Sequence, residues 1–414
     1  MNSEIPNPKS ILVRGVNWLG DAVMTTPALT RLRERFPDAR ICLLTKPHLG
    51  SLWRLHALVD DVIELERGES LSQLGARLAK YEFGLGIAFP NSLRTALELR
   101  LGRIPHRVGY EGNGRRFILN HRVAHRQGVY QMRKLGSLEV KEAIRKERPA
   151  QPEIPATAHH IHHYLHLVAY LGASAEPCAP GWTVPAVTRT DAIEKFGLPV
   201  HEDVPVIGIN AGAEFGPAKR WPTESFRAVI KQLHARTPCR FILFGGPGDL
   251  GIAAQIADRL ALEISETPGA RPLALLDLCG KTSLPELAAA LSICDVLISN
   301  DTGPTHLAAA VGTPVVVPFG STSAPLTGPG LPGSGPHQFL SAAPPCAPCF
   351  RPDCPVDLRC LNDIKPEQVV AAAMKEIAAE VAPTECATEA PLARPGKPAA
   401  SNAAWKARRS EPRA

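Results

Sequence analysis

Residues 11–36 read ILVRGVNWLGDAVMTTPALTRLRERF, and this stretch decides the fold. The apolar run at 11–13 predicts a buried strand, which is followed by a turn containing Gly15 and Gly20. Helical periodicity then extends over 22–36. A strand, a glycine-bearing loop and a helix, in that order, are typical of the first unit of a parallel α/β sheet.

The same alternation continues outward along the chain. Further strand-like runs fall at 41–44, 62–65, 85–89, 206–209, 241–244, 274–278, 296–298 and 315–318, with helical patterns at 224–235, 252–262, 284–292 and 307–311. We therefore predict an α/β protein of two doubly wound Rossmann-like halves facing a central cleft. Because ligands bind beyond the carboxyl ends of parallel strands, the chemistry is expected on the loops that follow them.

The length of 414 residues also favours two domains, since one hydrophobic core rarely serves so long a chain. We expect a first domain at 1–180 and a second at 181–382, joined through a proline-rich stretch around a helix at 160–171. Residues 383–414 are rich in Ala, Pro, Arg and Lys and are predicted to form a disordered tail.

The composition is that of a folded protein, with 44% apolar and 21% charged residues. We expect a cytoplasmic protein, because the sequence contains no apolar run of roughly 20 residues and no secretory signal. Charge is uneven: residues 92–148 carry fourteen Lys/Arg and five Asp/Glu, a net of 14 − 5 = +9. Such a surface attracts phosphate groups on a lipid, a glycolipid or a nucleic acid, or it simply aids solubility.

Asp21 lies where the first loop enters its helix. An acidic residue there can cap the helix, and it can equally act as a general base that takes a proton from an attacking hydroxyl group. Residues 210–222 form the corresponding loop of the second half and contain Lys219 and Arg220. A lysine there can stabilise the charge of a leaving diphosphate, or both residues can be solvated cations.

A third loop, residues 299–306, reads SNDTGPTH between a strand and a helix. The helix N-terminus favours an anion near Thr302 and Gly303, whereas Asp301 is better suited to sugar hydroxyl groups. The alternative is that Asp301 or Thr302 caps the helix, although this explains His306 less well. The sequence contains no Asp-x-Asp motif, so we expect no catalytic metal and assign the leaving-group charge to Lys219 and this helix.

Four of the ten cysteines, Cys346, Cys349, Cys354 and Cys360, lie within fifteen residues. Their clustering suggests a structural zinc site, with an iron–sulfur cluster, transient disulfides or no metal as alternatives. Five histidines, at 159, 160, 162, 163 and 166, lie on the linker helix. Without acidic partners, a solvated or interface role is expected for them.

Taken together, the motifs at 17–21, 213–222 and 299–303 resemble those of the heptosyltransferases of glycosyltransferase family 9. The second motif is most similar to that of members that add the second heptose. The resemblance covers about 10–380 and implies a GT-B fold and inverting transfer of L-glycero-D-manno-heptose from ADP-heptose to the first heptose of the lipopolysaccharide inner core. It implies that Asp21 is the base, that Lys219 contacts the donor phosphates, and that Asp301, Thr302, Gly303 and His306 bind the donor.

The ribose-binding acidic residue of the family has no clear counterpart in Gly245-Gly246-Pro247-Gly248-Asp249, so Asp249 is only a candidate. The resemblance further implies a phosphorylated inner-core acceptor presented at the inner face of the cytoplasmic membrane, with peripheral contact between enzyme and membrane. Its candidate contacts are Arg94, Arg103, Arg115 and Arg116. Alternatives are another ADP-heptose or nucleotide-sugar transferase, acting on a heptose-free acceptor or on protein, a nucleotide-sugar epimerase, and a non-enzymatic nucleic-acid-binding protein.

Overall fold

The computed structural model describes residues 7–127, 130, 132–147, 154–200, 204–266, 271–331, 333 and 335–380. Their strands form two six-stranded sheets in which the neighbouring strands are parallel. The first sheet consists of β1 (Ser10–Arg14), β2 (Arg40–Thr45), β3 (Asp61–Glu64), β4 (Leu85–Ala88), β5 (His106–Tyr110) and β6 (His121–Val123). The second consists of β7 (Val206–Asn210), β8 (Arg240–Phe244), β9 (Leu275–Asp277), β10 (Val296–Ser299), β11 (Val315–Pro318) and β12 (His337–Leu340).

Both sheets have the same topology. The first runs β3-β2-β1-β4-β5-β6 and the second, read from its other edge, runs β9-β8-β7-β10-β11-β12. Each is the Rossmann order 3-2-1-4-5-6, in which the first strand of each half lies beside the point where the order reverses. This confirms the two doubly wound halves and places the loops after β1 and β7 at equivalent positions.

The helices cover both faces of the sheets. In the first half they are α1 (Leu19–Met24), α2 (Thr26–Arg35), α3 (Pro47–Trp53), α4 (Leu71–Ala79), α5 (Leu93–Leu101), α6 (Ser137–Arg145) and α7 (Ile161–Ala169). They continue as α8 (Ala186–Phe196), α9 (Thr223–Arg236), α10 (Leu250–Ser265), α11 (Leu284–Leu291), α12 (Gly303–Ala310), α13 (Ala324–Thr327), α14 (Arg359–Asn362) and α15 (Pro366–Glu380). No helix in these ranges is long and apolar enough to cross a bilayer.

The strand at the start of the chain is buried on both faces, as a central parallel strand requires. Ile11 and Val13 belong to the largest apolar cluster, whereas Leu12 packs on the other side of the sheet with Cys42 and Leu44. The large cluster also contains residues of β10 and β11. One continuous apolar core therefore connects the two halves.

The linker packs against both halves. Helix α7 contacts α2 and β5, whereas α8 contacts α11. Between these helices Trp182 lies with its ring centroid 4.7 Å from that of Trp53, and its backbone N–H donates to the Ala310 carbonyl at 2.8 Å. The division at 180/181 stays a prediction, and the tail at 383–414 lies outside the described residues.

The sequence-based helix at 22–36 is in fact two helices, which meet at Thr25. Pro27 has no N–H to donate to the preceding turn, and the hydroxyl groups of Thr25 and Thr26 donate to the carbonyls of Ala22 and Val23. The break ends α1 after little more than one turn. Helix α12 was also placed too late, because it begins at Gly303 and includes His306.

Candidate functional site

A cleft of about 740 Å³ lies at the carboxyl ends of the strands and is lined by loops from both halves. The first half contributes the start of α1 with Asp21, and the second contributes the loops that follow β7, β8 and β10. Seven of the residues singled out in the sequence line this cleft: Asp21, Lys219, Asp249, Asp301, Thr302, Gly303 and His306.

Asp21 occupies the first turn of α1, directly beyond the loop that follows β1. Among the described residues no side-chain hydrogen bond caps this helix, so the structure gives no support to a capping role. Burial raises the pKa of Asp21; His160 and Lys219 oppose this shift, and the negative charge of Asp301 adds to it. The raised pKa makes the carboxylate a stronger base than an exposed aspartate.

Lys219 projects into the cleft from a short 3-10 turn, Pro217–Lys219, and its side chain is largely buried. Its Nζ donates to Asp301 Oδ2 at 2.6 Å, and the two side chains are only 15% and 4% exposed. Thr322 Oγ1 donates to the same carboxylate oxygen at 2.6 Å, and the Phe215 ring centroid lies 5.1 Å from the amine. The lysine and the aspartate that were predicted separately are therefore one ion pair.

Asn300, next to Asp301, is a residue that sequence reasoning quoted without giving it a role. Its side chain is fully buried, accepts from the backbone N–H of Trp221 at 2.9 Å and donates to the Ala211 carbonyl at 2.7 Å. It thereby joins the loop after β10 to both ends of the Lys219 loop. Asn300 directly follows a buried strand. An amide residue at such a position is the sequence signal that could have predicted these hydrogen bonds between loops.

The N-terminus of α12 faces the cleft at Thr302 and Gly303. Thr302 occupies the N-cap position without a side-chain capping hydrogen bond, so capping does not account for this residue. An uncapped N-terminus with its dipole directed at the cleft suits an anion.

His306 lies one turn into α12 and is almost completely buried. Burial lowers its pKa to about 4, against the opposing effect of Asp301. The imidazole is therefore neutral at physiological pH and supplies no positive charge for a phosphate. A Cβ added at Gly20 would lie 2.8 Å from His306 Cδ2, and one added at Gly303 would lie 2.8 Å from Leu19 Cβ. The glycine at 20 therefore makes room for the opposite half.

Asp249 lies in the turn after β8, and its Oδ2 accepts from the Gly246 N–H at 3.0 Å. The carboxylate lies against Gly212, where an added Cβ would overlap Oδ2. Asp249 therefore lines the cleft at the ends of β7 and β8, whereas β11 lies on the other side of β10.

None of the four arginines considered for the acceptor lines the cleft. Arg115 is fully buried, and its guanidinium donates to the Pro90 carbonyl and to Asn91 Oδ1, each at 3.2 Å. Arg94 is 60% exposed and pairs with Glu98 at 3.2 Å, and the nearby Arg116 is exposed. Arg103 follows the end of α5, which returns to the opposite edge of the sheet.

The linker histidines are less exposed than expected. His159 is buried and forms a 2.9 Å hydrogen bond between its Nε2 and the Gly328 carbonyl of the second half, which is an interface role. His160 lies 3.1 Å from the Tyr164 hydroxyl group. Burial lowers the pKa of His160, and the charge of Asp21 opposes that shift. Sequence reasoning missed His160 as a neighbour of the catalytic candidate because only the fold brings an acidic residue to it.

The prediction of a zinc site at Cys346, Cys349, Cys354 and Cys360 is not supported. Within the described ranges no group of three or more His, Cys, Asp or Glu side chains is arranged to hold a metal ion. Cys346 and Cys349 pack in a small apolar cluster with α6, whereas Cys360 belongs to the core of the second half. Burial raises the pKa of the Cys360 thiol to about 12, and the nearby Cys349, Cys354 and Cys346 add to this shift.

Comparison with known proteins identifies the same relatives by sequence and by fold. The sequence model of glycosyltransferase family 9 (heptosyltransferase) matches residues 71–358. Lipooligosaccharide heptosyltransferase 2 of Haemophilus influenzae is 28% identical over 329 residues, which is 77% of this chain and 86% of that protein. Lipopolysaccharide heptosyltransferase 2 of Escherichia coli K12 is 27% identical over 327 residues, 77% of this chain and 85% of that protein.

Solved structures show the fold. ADP-heptose lipopolysaccharide heptosyltransferase II of Escherichia coli superimposes with a TM-score of 0.68 at 24% identity, covering 90% of this chain and 100% of that one. A family 9 glycosyltransferase from Veillonella parvula gives the same TM-score at 20% identity and the same coverage. The two facing Rossmann-like sheets are thus a GT-B fold.

Proposed function

The chain belongs to glycosyltransferase family 9, the heptosyltransferases, and we propose that it transfers L-glycero-D-manno-heptose from ADP-heptose to the first heptose of the lipopolysaccharide inner core. This is the activity of a heptosyltransferase II. The proposal rests on the resemblance of its motifs and on the names of its full-length relatives. One observation carries the chemistry: a carboxylate with a raised pKa lines one wall of the cleft, and an amine–carboxylate pair lines the other.

In the proposed reaction the acceptor hydroxyl oxygen attacks the anomeric carbon of the donor while the bond to the ADP oxygen breaks. Asp21 accepts the hydroxyl proton as the new bond forms. A single displacement inverts the anomeric configuration. The position of Asp21 on the first half supports a division of labour in which that half holds the acceptor.

The second half is assigned to the donor. Lys219 leaves Asp301 to contact the diphosphate, and the N-terminus of α12 at Thr302 and Gly303 adds its dipole, so that charge on departing ADP is stabilised. Asp301 then accepts hydrogen bonds from sugar hydroxyl groups. His306, being neutral, acts through hydrogen bonding, and Asp249 is assigned to the ribose. The proposal involves no catalytic metal.

The acceptor assignment is coarser. Asn91 follows β4, and Asn113 and Arg115 follow β5, so they lie at the carboxyl ends of the first sheet, as the loop before Asp21 does. Asn113 joins the two loops by donating to the Asn91 carbonyl at 2.7 Å. We assign the exposed Arg94 and Arg116 beside these loops to the phosphates of the glycolipid, with Arg115 supporting the loops. Arg103, at the other edge, is the weakest of the four assignments. Peripheral contact with the inner face of the cytoplasmic membrane follows from an anionic lipid acceptor.

An acceptor panel tests the proposal. Purified protein is offered ADP-heptose with heptose-free, mono-heptosylated or no acceptor, and the products are identified by mass spectrometry. We expect heptose transfer only to the mono-heptosylated glycolipid. Transfer to the heptose-free acceptor would identify a first-heptose enzyme, and conversion of the donor without any acceptor would identify an epimerase. Either result would overturn the proposal.

A further inference from the structure

The segment between Cys346 and Cys360 has no metal-binding arrangement, but it reaches the cleft. Phe350, between Cys349 and Arg351, is half-buried and is the residue of this segment that lines the cleft wall. Cys349 before it and Cys360 after it are buried in apolar surroundings. The segment therefore places one aromatic ring where substrates bind.

Three backbone hydrogen bonds join this segment to its neighbours. The Phe350 N–H donates to the Ser321 carbonyl at 2.7 Å. On one side, the Leu135 N–H before α6 donates to the Cys349 carbonyl at 2.9 Å. On the other, the Ala218 N–H donates to the Pro352 carbonyl at 2.9 Å, so the segment also supports the turn that carries Lys219.

The backbone at Phe350 is strained. Its φ of +52° lies in the left-handed region, which glycine adopts readily and a bulky aromatic residue does not. Residues held in this region cost conformational free energy, and they cluster at sites where the side chain has a task. At Phe350 the available task is contact with whatever occupies the cleft.

Its neighbours identify the part of the cleft to which the ring belongs. Ser321, which accepts from Phe350, precedes Thr322, whose hydroxyl group donates to Asp301. Pro352 supports the Lys219 turn, so both neighbours of Phe350 lead to the Lys219–Asp301 pair. Asp249 lies instead at the ends of β7 and β8. Phe350 thus borders the phosphate and sugar end of the donor site.

We propose that Phe350 is a specificity-determining residue, the apolar wall of the donor-sugar subsite, which packs against the carbon–hydrogen face of the sugar and not against the nucleotide. This rests on the proposed function, because it takes the donor to be an ADP-linked sugar. Aromatic rings suit such a face because a sugar ring presents several C–H groups together, and burying them removes apolar surface from water.

The test compares the affinities of the protein for ADP-heptose and for ADP, measured by isothermal titration calorimetry. Phe350→Gly removes the ring and suits the left-handed backbone, so it keeps the fold; Phe350→Leu retains an apolar side chain. We expect Phe350→Gly to weaken ADP-heptose binding by about tenfold, Phe350→Leu to weaken it less, and neither to change ADP binding. Val187→Ala, on the exposed face of α8 and 66% exposed, is the control and should change neither affinity.

Equal weakening of ADP and ADP-heptose, or no weakening of either, would overturn the assignment of Phe350 to the sugar. Both results are distinct from failure of the proposed function, which appears as absent transfer by the wild-type chain in the acceptor panel. Because calorimetry requires neither turnover nor acceptor, the affinities test Phe350 whichever acceptor the enzyme uses, and a wild-type chain that binds ADP but not ADP-heptose would overturn the sugar subsite itself.

Discussion

The loop after β1 and the loop after β7 occupy equivalent positions in two sheets of identical strand order, yet they are held in different ways. The first leads into a short uncapped helix, and Asp21 faces the cleft with a pKa raised by burial. The second is fastened by Asn300 at both ends and by Pro352 in its middle, and Lys219 is ion-paired with Asp301.

The same fold therefore holds the Asp21 carboxylate at a buried site that raises its pKa, and it holds the Lys219 amine in an ion pair. A proton acceptor gains basicity from burial without a strong partner, since a partner would stabilise its anion and lower its pKa. A cation that must meet a diphosphate gains from an acidic partner, which keeps it oriented and compensated until the ligand arrives. Substitutions in each loop, and in the side chains that hold it, therefore have different expected effects.

The largest effect is expected from Asp21→Asn, which removes the base on the first loop and keeps its shape. Turnover with ADP-heptose and the mono-heptosylated acceptor should fall by about 10²–10⁴-fold, whereas the dissociation constant for ADP should stay unchanged. Steady-state kinetics and calorimetry measure the two quantities. Asp38→Asn, at an exposed position in the same half, is the matched control. Turnover retained by Asp21→Asn would exclude it as the base.

Lys219→Ala should have the next largest effect and should act on both quantities. Loss of leaving-group stabilisation lowers kcat by about 10²–10³-fold. Weaker contact with the diphosphate also raises the dissociation constant for ADP, which distinguishes this variant from Asp21→Asn. Lys219→Met keeps the length of the side chain and should behave like alanine. Unchanged ADP affinity in both variants would show that the amine does not contact the nucleotide.

Asn300→Ala tests how the second loop is fastened. The substitution leaves the Trp221 N–H and the Ala211 carbonyl without their partner in a buried site, and we expect the free energy of unfolding to fall by about 2 kcal/mol. Urea unfolding monitored by circular dichroism measures the change. Gln255→Ala on the exposed face of α10 serves for comparison and should change it by less than about 0.5 kcal/mol. If both substitutions lowered the free energy of unfolding equally, the hydrogen bonds of Asn300 would not fasten the loop.

The smallest expected effect is a shift in pH dependence. Because the base must be deprotonated, kcat/KM should fall as the pH drops through the raised pKa of Asp21, at a higher pH than an exposed aspartate would give. Asp301 contributes to this elevation, so Asp301→Asn should move the acidic limb of the profile to lower pH, although it lowers the overall rate. A limb that moves to higher pH, or not at all, would contradict the electrostatic link between the two loops.

The fold was largely predictable because buried parallel strands are continuous apolar runs. All nine runs predicted from the sequence coincide with strands, whereas β5, β6 and β12 were missed. These read HRVGY, HRV and HQFL, and β6 and β12 are edge strands that are only partly buried. Short strands that retain polar side chains lack both the apolar run and the apolar–polar alternation by which a strand is recognised in one sequence.

The sequence predicted only those residues of the site that lie on loops directly after a strand. Asp21, Lys219 and Asp301 follow strands and so had to reach one edge of the sheets. The pairing of Lys219 with Asp301, the approach of His160 to Asp21 and the entry of Phe350 into the cleft depend on contacts between segments that are distant along the chain; Lys219 and Asp301, for example, are 82 residues apart. The zinc site suggested by the spacing of the thiols is not supported within the described residues, where Cys346 and Cys349 pack in one apolar cluster and Cys360 in another.

The contact between the starts of α1 and α12 sets the distance between two walls of the cleft. Gly20 lies against the His306 ring and Gly303 against Leu19 Cβ so closely that a methyl group at either glycine would require one of these neighbours to move. Asp21 is the neighbour of one glycine and Thr302 the neighbour of the other. The two glycines therefore set how closely the carboxylate that we propose as the base approaches the helix that we propose binds the diphosphate, and an alanine at either position is expected to change that spacing.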